Sequence, residues 1–265
     1  MRQIFYNHDL NSSFLRNGFV VVDLLTSDQI DLLQKLYDRE QFQASGDFYL
    51  TIWKDSPLHR QMIHDQIQQI ISHSYLNLLF KYKPIINSFA VKRSSPDSRW
   101  HPHQDDTFVD ESRFTSVSIW VPLIATNAAN GTMSVLPGSH DQYTGPRSPN
   151  IPQPFKNDLK SINSGLVDVE LGVGQAIIFD HRLIHGSGEN KSGKERVAIV
   201  SVLIPEEAGL TYLYLDKQSS PNMIRQYQIS ERYYLEAPLG EFSIEPNSPE
   251  FSLVASYPFD DKKLI

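Results

Sequence analysis

Two short runs hold side chains whose types and spacing suit joint chemistry: HPHQDDT at 101–107 and FDHRLIHGSGENKSGKER at 179–196. His103 and Asp105 are one residue apart, so on an extended strand both project from one face and can grip a single cation. The second run supplies a distant imidazole, His185. Two imidazoles and a carboxylate on one side of a metal leave its other positions open, the donor set of non-haem Fe(II) oxygenases. Eleven residues past His185 stands Arg196, whose planar guanidinium suits bidentate capture of a carboxylate. It opens the apolar run VAIVSVLI, so its charge is expected to point inward and to need an anion there. The pattern predicts a carboxylate clamp beside an oxygen-reactive metal.

These residues, taken in order with Trp120 in SVSIWVPL, NGTMSVLPGSH at 130–140 and His185-Gly186-Ser187, resemble the phytanoyl-CoA dioxygenase family of Fe(II)/2-oxoglutarate oxygenases. The resemblance covers about residues 85–205 and extends weakly to the N-terminal helices. It implies a mainly β fold with flanking helices, a double-stranded β-helix of the jelly-roll, cupin-like kind. It implies iron held by His103, Asp105 and His185. It also implies 2-oxoglutarate held by Arg196 with help from Ser187 and Trp120, and dioxygen as the third reactant. The implied activity is hydroxylation of an unactivated C–H bond of a small organic molecule, with epoxidation or desaturation as variants. Halogenases of this superfamily replace the carboxylate ligand by Gly or Ala, so the retained Asp105 disfavours halogenation. The substrate classes that fit are a secondary metabolite, a modified amino acid or an acyl group on a carrier protein.

Other assignments compete. His181 rivals His185 for the distal position, but Gly186-Ser187 and the spacing to Arg196 favour His185 and leave His181 beside the ligands or facing substrate. His101 shares a face with His103 and suggests a three-histidine cupin site, yet residues 104–108 offer aspartates where that pattern wants a glutamate. Strand alternation predicts that Asp106 points away from Asp105. A jelly-roll protein that binds metal without oxygenase activity is the reading from a different class. Candidate pocket residues are Tyr49, Trp53, Thr107, Phe108 and His181, with Phe48 nearby. Lys92 and Arg93 either reach the cosubstrate or end a strand in solvent.

With 265 residues, 40% of them hydrophobic, the chain suits one large domain over 1–265. A net charge of −7 offers no diffuse basic surface, so neither nucleic acid nor an anionic membrane is an expected partner. A small-molecule substrate is. The absence of cysteine excludes disulfides, thiolate zinc sites and cysteine nucleophiles. No apolar run reaches about 18 residues and no apolar core follows the first residues, so a cytoplasmic protein is expected.

Several elements must position the chemical groups. GFVVVDLL at 18–25 reads as a strand, and Thr26 with Gln29 forms a capping box for a helix whose apolar face is Ile30, Leu32, Leu33 and Leu36. A second helix begins near Pro57 and carries Leu58, Met62, Ile63, Ile67, Ile70 and Ile71, with His59 and His64 off the stripe and in solvent. After this helical part of about 1–84, β-rich runs separated by turn residues predict a jelly-roll core over about 85–205. An extension over about 206–265 contains TYLYLD and a helix near 221–234. Five prolines fall within 137–154, which predicts a lid over 140–160 reaching toward substrate through Tyr143, Arg147 and Lys156.

Overall fold

The computed structural model describes residues 2–40, 46–53, 56–155, 158–218, 223–237, 246 and 250–254. The strands are β1 (Phe19–Asp23), β2 (Phe48–Leu50), β3 (Tyr82–Lys92), β4 (Trp100–His103), β5 (Val117–Pro122), β6 (Met133–Val135), β7 (Val167–Val169), β8 (Gln175–Asp180), β9 (His185–Ser187), β10 (Arg196–Pro205), β11 (Thr211–Asp216), β12 (Met223–Gln228) and β13 (Ser252–Val254). The helices are α1 (His8–Asn17), α2 (Ser27–Glu40), α3 (Pro57–Leu76), α4 (Leu159–Gly165) and α5 (Tyr233–Glu236). A six-stranded sheet runs β1-β8-β5-β10-β3-β2, a four-stranded sheet β4-β9-β6-β7, and the extension adds β11-β12-β13. The first two sheets form the jelly roll.

Both faces of the six-stranded sheet are covered, which is why β5, β8 and β10 read as unbroken apolar runs rather than alternating ones. Ile119, Val121, Ile178 and Ile199 pack with Leu33, Leu36, Ile63, Ile67 and Ile71 of α2 and α3. Trp120, Ile177, Phe179 and Ala198 turn the other way, against Met133, Val135 and Val169 of the four-stranded sheet. Alternation along β10 therefore sends Arg196 into the space between the sheets, where its strand partner is Lys92.

The N-terminal part is not purely helical, because β1 and β2 complete the two edges of the six-stranded sheet. The apolar β8 and the long β3 are thereby covered, and the edges fall on shorter strands. The α1 helix was not evident in its polar sequence. Asn7 caps it by accepting from the backbone N–H groups of Asp9 and Leu10, and Gly18 ends it at a φ of 81°. The capping box of α2 forms as expected, with Gln29 N–H donating to Thr26 Oγ1 and Thr26 N–H to Gln29 Oε1. Leu32 and Leu58, placed on apolar faces above, are 51% and 84% exposed because the sheet meets a narrower arc of each helix. His64 is buried rather than solvated, and its Nδ1 accepts the Asn87 N–H of β3 at 3.0 Å. His59 is half-buried, 3.9 Å from Glu40. The helix expected near 221–234 is β12 instead, recruited by pairing with β11, and only α5 is helical there. No described helix is long and apolar enough to cross a membrane.

Candidate metal centre

His103 ends β4 and His185 opens β9, and the two are register partners across an antiparallel pair. Cross-strand neighbours of this kind have adjacent side chains, and the imidazole centroids lie 4.2 Å apart. Gly186 permits the approach: a Cβ there would sit 2.9 Å from the Trp100 carbonyl oxygen. Asp105 follows the end of β4 and brings Oδ1 to 3.8 Å from His103 Nε2 and 3.7 Å from His185 Nε2. The ligand atoms of the three lie within 4.8 Å of one another, and no other cluster of this kind occurs among the described residues.

The rings are oriented by the backbone. Nδ1 of His103 faces the His101 carbonyl and Nδ1 of His185 the Leu183 carbonyl, each at 3.0 Å. A carbonyl can only accept, so both Nδ1 atoms carry the proton and both Nε2 atoms are left on the Asp105 side as acceptors. Burial, and then the neighbouring His185, hold His103 well below the usual imidazole range, which keeps it neutral as ligation requires. Burial opposes ionisation of Asp105, but His185, His181, His103 and a hydrogen bond from Ser118 outweigh it and hold its carboxyl below the ordinary range. Ser118 Oγ donates to Asp105 Oδ2 at 2.9 Å, and His181 Nε2 lies 3.0 Å from the same hydroxyl. His181 is fully buried and absent from the cluster, so it acts on Asp105 through Ser118 and does not face substrate. His101 is exposed, which removes the three-histidine arrangement.

The three residues line a cavity of about 860 Å³ that Arg196 also enters. Arg196 is 2% exposed, its guanidinium carbon lies 5.1 Å from the Trp120 ring centre, and its Nε and Nη1 have no hydrogen-bond partner. Burial alone pushes its guanidinium down to about 9. A buried cation with orphaned donors is an anion receptor, and its planar fork fits a carboxylate. Ser187 lines the same cavity, but its Oγ accepts from Lys92 Nζ at 2.7 Å. Lys92 is therefore a buried strut under the site, with burial and then Arg196 pushing its ammonium down to about 7. Arg93 pairs with Glu195 away from the cavity.

Phe48, Trp53 and Phe108 line the cavity as expected, whereas Tyr49 and Thr107 do not. Tyr49 alternates to the helix side of β2 and meets the Tyr37 hydroxyl at 3.2 Å. Thr107 is turned to the 140s segment, its Oγ1 accepting from Arg147 N–H at 3.1 Å. That segment is packed and not an open lid. Arg147 is buried, pairs with Glu111 at 2.5 Å and donates from Nε to the Asp105 carbonyl at 2.8 Å. Ile151 packs with Leu213, Leu215 and Ile224, while Phe155 packs with Ile162 and Ile184. Lys156 lies outside the described residues.

Asp106 also departs from expectation and lines the cavity beside Asp105, because alternation stops where β4 ends. Burial, and then the Asp105 charge, push its carboxyl up to about 7. Trp100 was not singled out above. It donates from Nε1 to His103 Nε2 at 3.1 Å and stacks on Phe48 with centroids 4.5 Å apart. Gln104, also missed, is tied to Gln153 by reciprocal amide hydrogen bonds of 3.1 and 3.2 Å. Their only sequence signal is proximity to the H-x-D run.

Residues 14–198, well over half of the chain, match the family described as phytanoyl-CoA dioxygenase (PhyH). The chain belongs to the phytanoyl-CoA dioxygenase family. A phytanoyl-CoA dioxygenase of Arabidopsis thaliana is 28% identical to this family member over 140 residues, which are 51% of this chain and 46% of the relative. This chain thus spans about half the length of that relative. Among solved structures, EctD from S. alaskensis with 2-oxoglutarate and 5-hydroxyectoine aligns with a TM-score of 0.54 at 21% identity, over 77% of this chain and 78% of that one. The epimerase SnoN, in complex with Fe3+, alpha ketoglutarate and nogalamycin RO, aligns with a TM-score of 0.54 at 18% identity, over 76% and 82%. These likenesses show that the fold is shared.

Proposed function

We propose that this phytanoyl-CoA dioxygenase family member is an Fe(II)/2-oxoglutarate-dependent oxygenase that hydroxylates an unactivated C–H bond of a small organic molecule. The observation that carries this reading is the buried Arg196 with orphaned donors, facing the same cavity as His103, Asp105 and His185. One anion that both chelates the metal and ends in a second carboxylate would satisfy both features. The donor set fits Fe(II). The solved neighbours with 2-oxoglutarate on the same fold support the assignment.

When bound, iron and 2-oxoglutarate supply the oxidising power, with dioxygen as oxidant and succinate and carbon dioxide as coproducts. The chain's own residues hold and exclude. His103, Asp105 and His185 would fix the metal from one side through Nε2, Oδ1 and Nε2, and His103 Nε2 would exchange its Trp100 donor for the metal. Arg196, braced by the Trp120 ring, would take the far carboxylate. Lys92 and Ser187 stiffen the floor below it. Phe48, Trp53 and Trp100 form an aromatic wall that keeps water from the reacting face. Retention of Asp105 favours hydroxylation over halogenation.

Anaerobic addition of Fe(II) and 2-oxoglutarate is expected to give the weak visible charge-transfer band of the chelate. Air should then yield succinate, and Asp105→Ala should lose both signals. A wild-type protein that binds iron yet shows neither the band nor succinate would overturn the proposal.

A further inference from the structure

Besides the Tyr234 phenol, the ionisable groups lining the cavity are His103, His185, Asp105, Asp106 and Arg196. With the cofactors proposed above, the divalent metal and Arg196 balance Asp105 and a doubly charged 2-oxoglutarate. Asp106 is left over. Its carboxylate makes no hydrogen bond or ion pair with any described residue. The cation whose charge reaches it, Arg147, is committed by hydrogen bonds to Glu111 and the Asp105 carbonyl. An uncompensated carboxylate in a largely apolar cavity is costly, and a cation placed against it recovers that cost.

The surroundings define the rest of the ligand. Phe108 and Tyr234, with ring centroids 5.0 Å apart, line the cavity together with Ile86 and Val202. They offer apolar and aromatic surface to a hydrocarbon body, and aromatic faces tolerate a neighbouring ammonium. We infer that Asp106 is the substrate-selecting residue and that the substrate is an amine, protonated at neutral pH, carried on an apolar or aromatic body. The inference rests on the oxygenase reading for its charge balance. Free acids are disfavoured by the same carboxylate.

The test uses the anaerobic protein with Fe(II) and 2-oxoglutarate and three probes of one shape: 3-phenylpropan-1-amine, 3-phenylpropan-1-ol and 3-phenylpropionate. Calorimetry reads probe binding while the visible band reports the cofactors in the same sample. The amine is expected to bind about tenfold more tightly than the alcohol, equivalent to about 1.4 kcal/mol, and the acid most weakly. Asp106→Asn should erase the difference between amine and alcohol, and Asp106→Glu should keep it. Equal binding of amine and alcohol to the wild type, no measurable amine binding, or an unchanged preference in Asp106→Asn would each overturn the inference. A preference for the amine without the visible band would sustain it and sink the cofactor assignment instead.

Discussion

At the scale of single residues, the carboxylate ligand is the best-supported atom group in the site. Its two oxygens have different tasks: Oδ1 faces both Nε2 atoms, while Oδ2 takes the Ser118 hydroxyl. Since Ser118 has one proton to give and spends it on Asp105, His181 Nε2 must donate to Ser118, which fixes the His181 tautomer. Partners of this kind orient a ligand and typically account for 10- to 100-fold in metal affinity. Ser118→Ala should therefore weaken Mn(II) binding by about tenfold, whereas His181→Ala, one step further away, should keep the metal with a smaller loss. Metal titration of both variants beside His185→Ala checks the order. Loss of metal in His181→Ala with retention in His185→Ala would reverse the distal ligand. The three candidate ligands were legible as a group from residue type and spacing, because a metal would dictate both, and the structure brings them together. Trp100, Gln104, Ser118 and Asp106 were not, because an indole, an amide, a hydroxyl or a second carboxylate gains its role only from what folds against it.

At the scale of elements, the strands were legible wherever both faces are buried, as in β5, β8 and β10, where unbroken apolar runs leave few alternatives. The short strands β4 and β9 carry two of the three candidate ligands yet have too few residues for a period, so only their chemistry marked them. The segment 140–160, expected as a lid, misled for a different reason. Prolines and polar residues describe a chain without regular structure, and such a chain can still be strapped down by particular side chains. Arg147 is the strap, its guanidinium tying Glu111 and the Asp105 backbone to one loop. Removing one partner of a buried pair costs about 3–5 kcal/mol. In a chain of this size each kcal/mol shifts the melting temperature by about 2–4 °C, so Arg147→Met should lower it by roughly 10 °C. Hydrogen exchange should be slow at 104–107 and 147–151 in the unliganded wild type and should speed up at both places together in the variant. Fast exchange of 147–151 in the unliganded wild type would restore the lid reading.

At the scale of the whole molecule, the six-stranded sheet, the four-stranded sheet and α5 of the C-terminal extension converge on one cavity. β2 contributes Phe48, α5 contributes Tyr234, and the α3 residue Arg60 holds the end of α5 by donating to the Leu235 and Ala237 carbonyls at 2.8 and 2.6 Å. The cavity holds one charge with orphaned donors, Arg196, which is buried with no hydrogen-bond partner for Nε and Nη1 among the described residues. Such a protein gives up native stability until its ligands arrive, and ligands that bind only the folded state return it by mass action. At a hundredfold excess over its dissociation constant a ligand adds about 2.7 kcal/mol, which corresponds to about 5–10 °C here. Mn(II) should raise the melting temperature on its own, and 2-oxoglutarate should add a further rise only when Mn(II) is present. Asp105→Ala should lose both increments. Arg196→Met should keep the Mn(II) increment and lose the 2-oxoglutarate one. Without ligands it should melt no lower than the wild type, because it removes a buried charge that no described residue pairs. Differential scanning calorimetry of the three proteins decides the matter. A ligand-free Arg196→Met protein that melts several degrees below the wild type would mean that the guanidinium stabilises the fold, and its role as a receptor awaiting an anion would have to be given up.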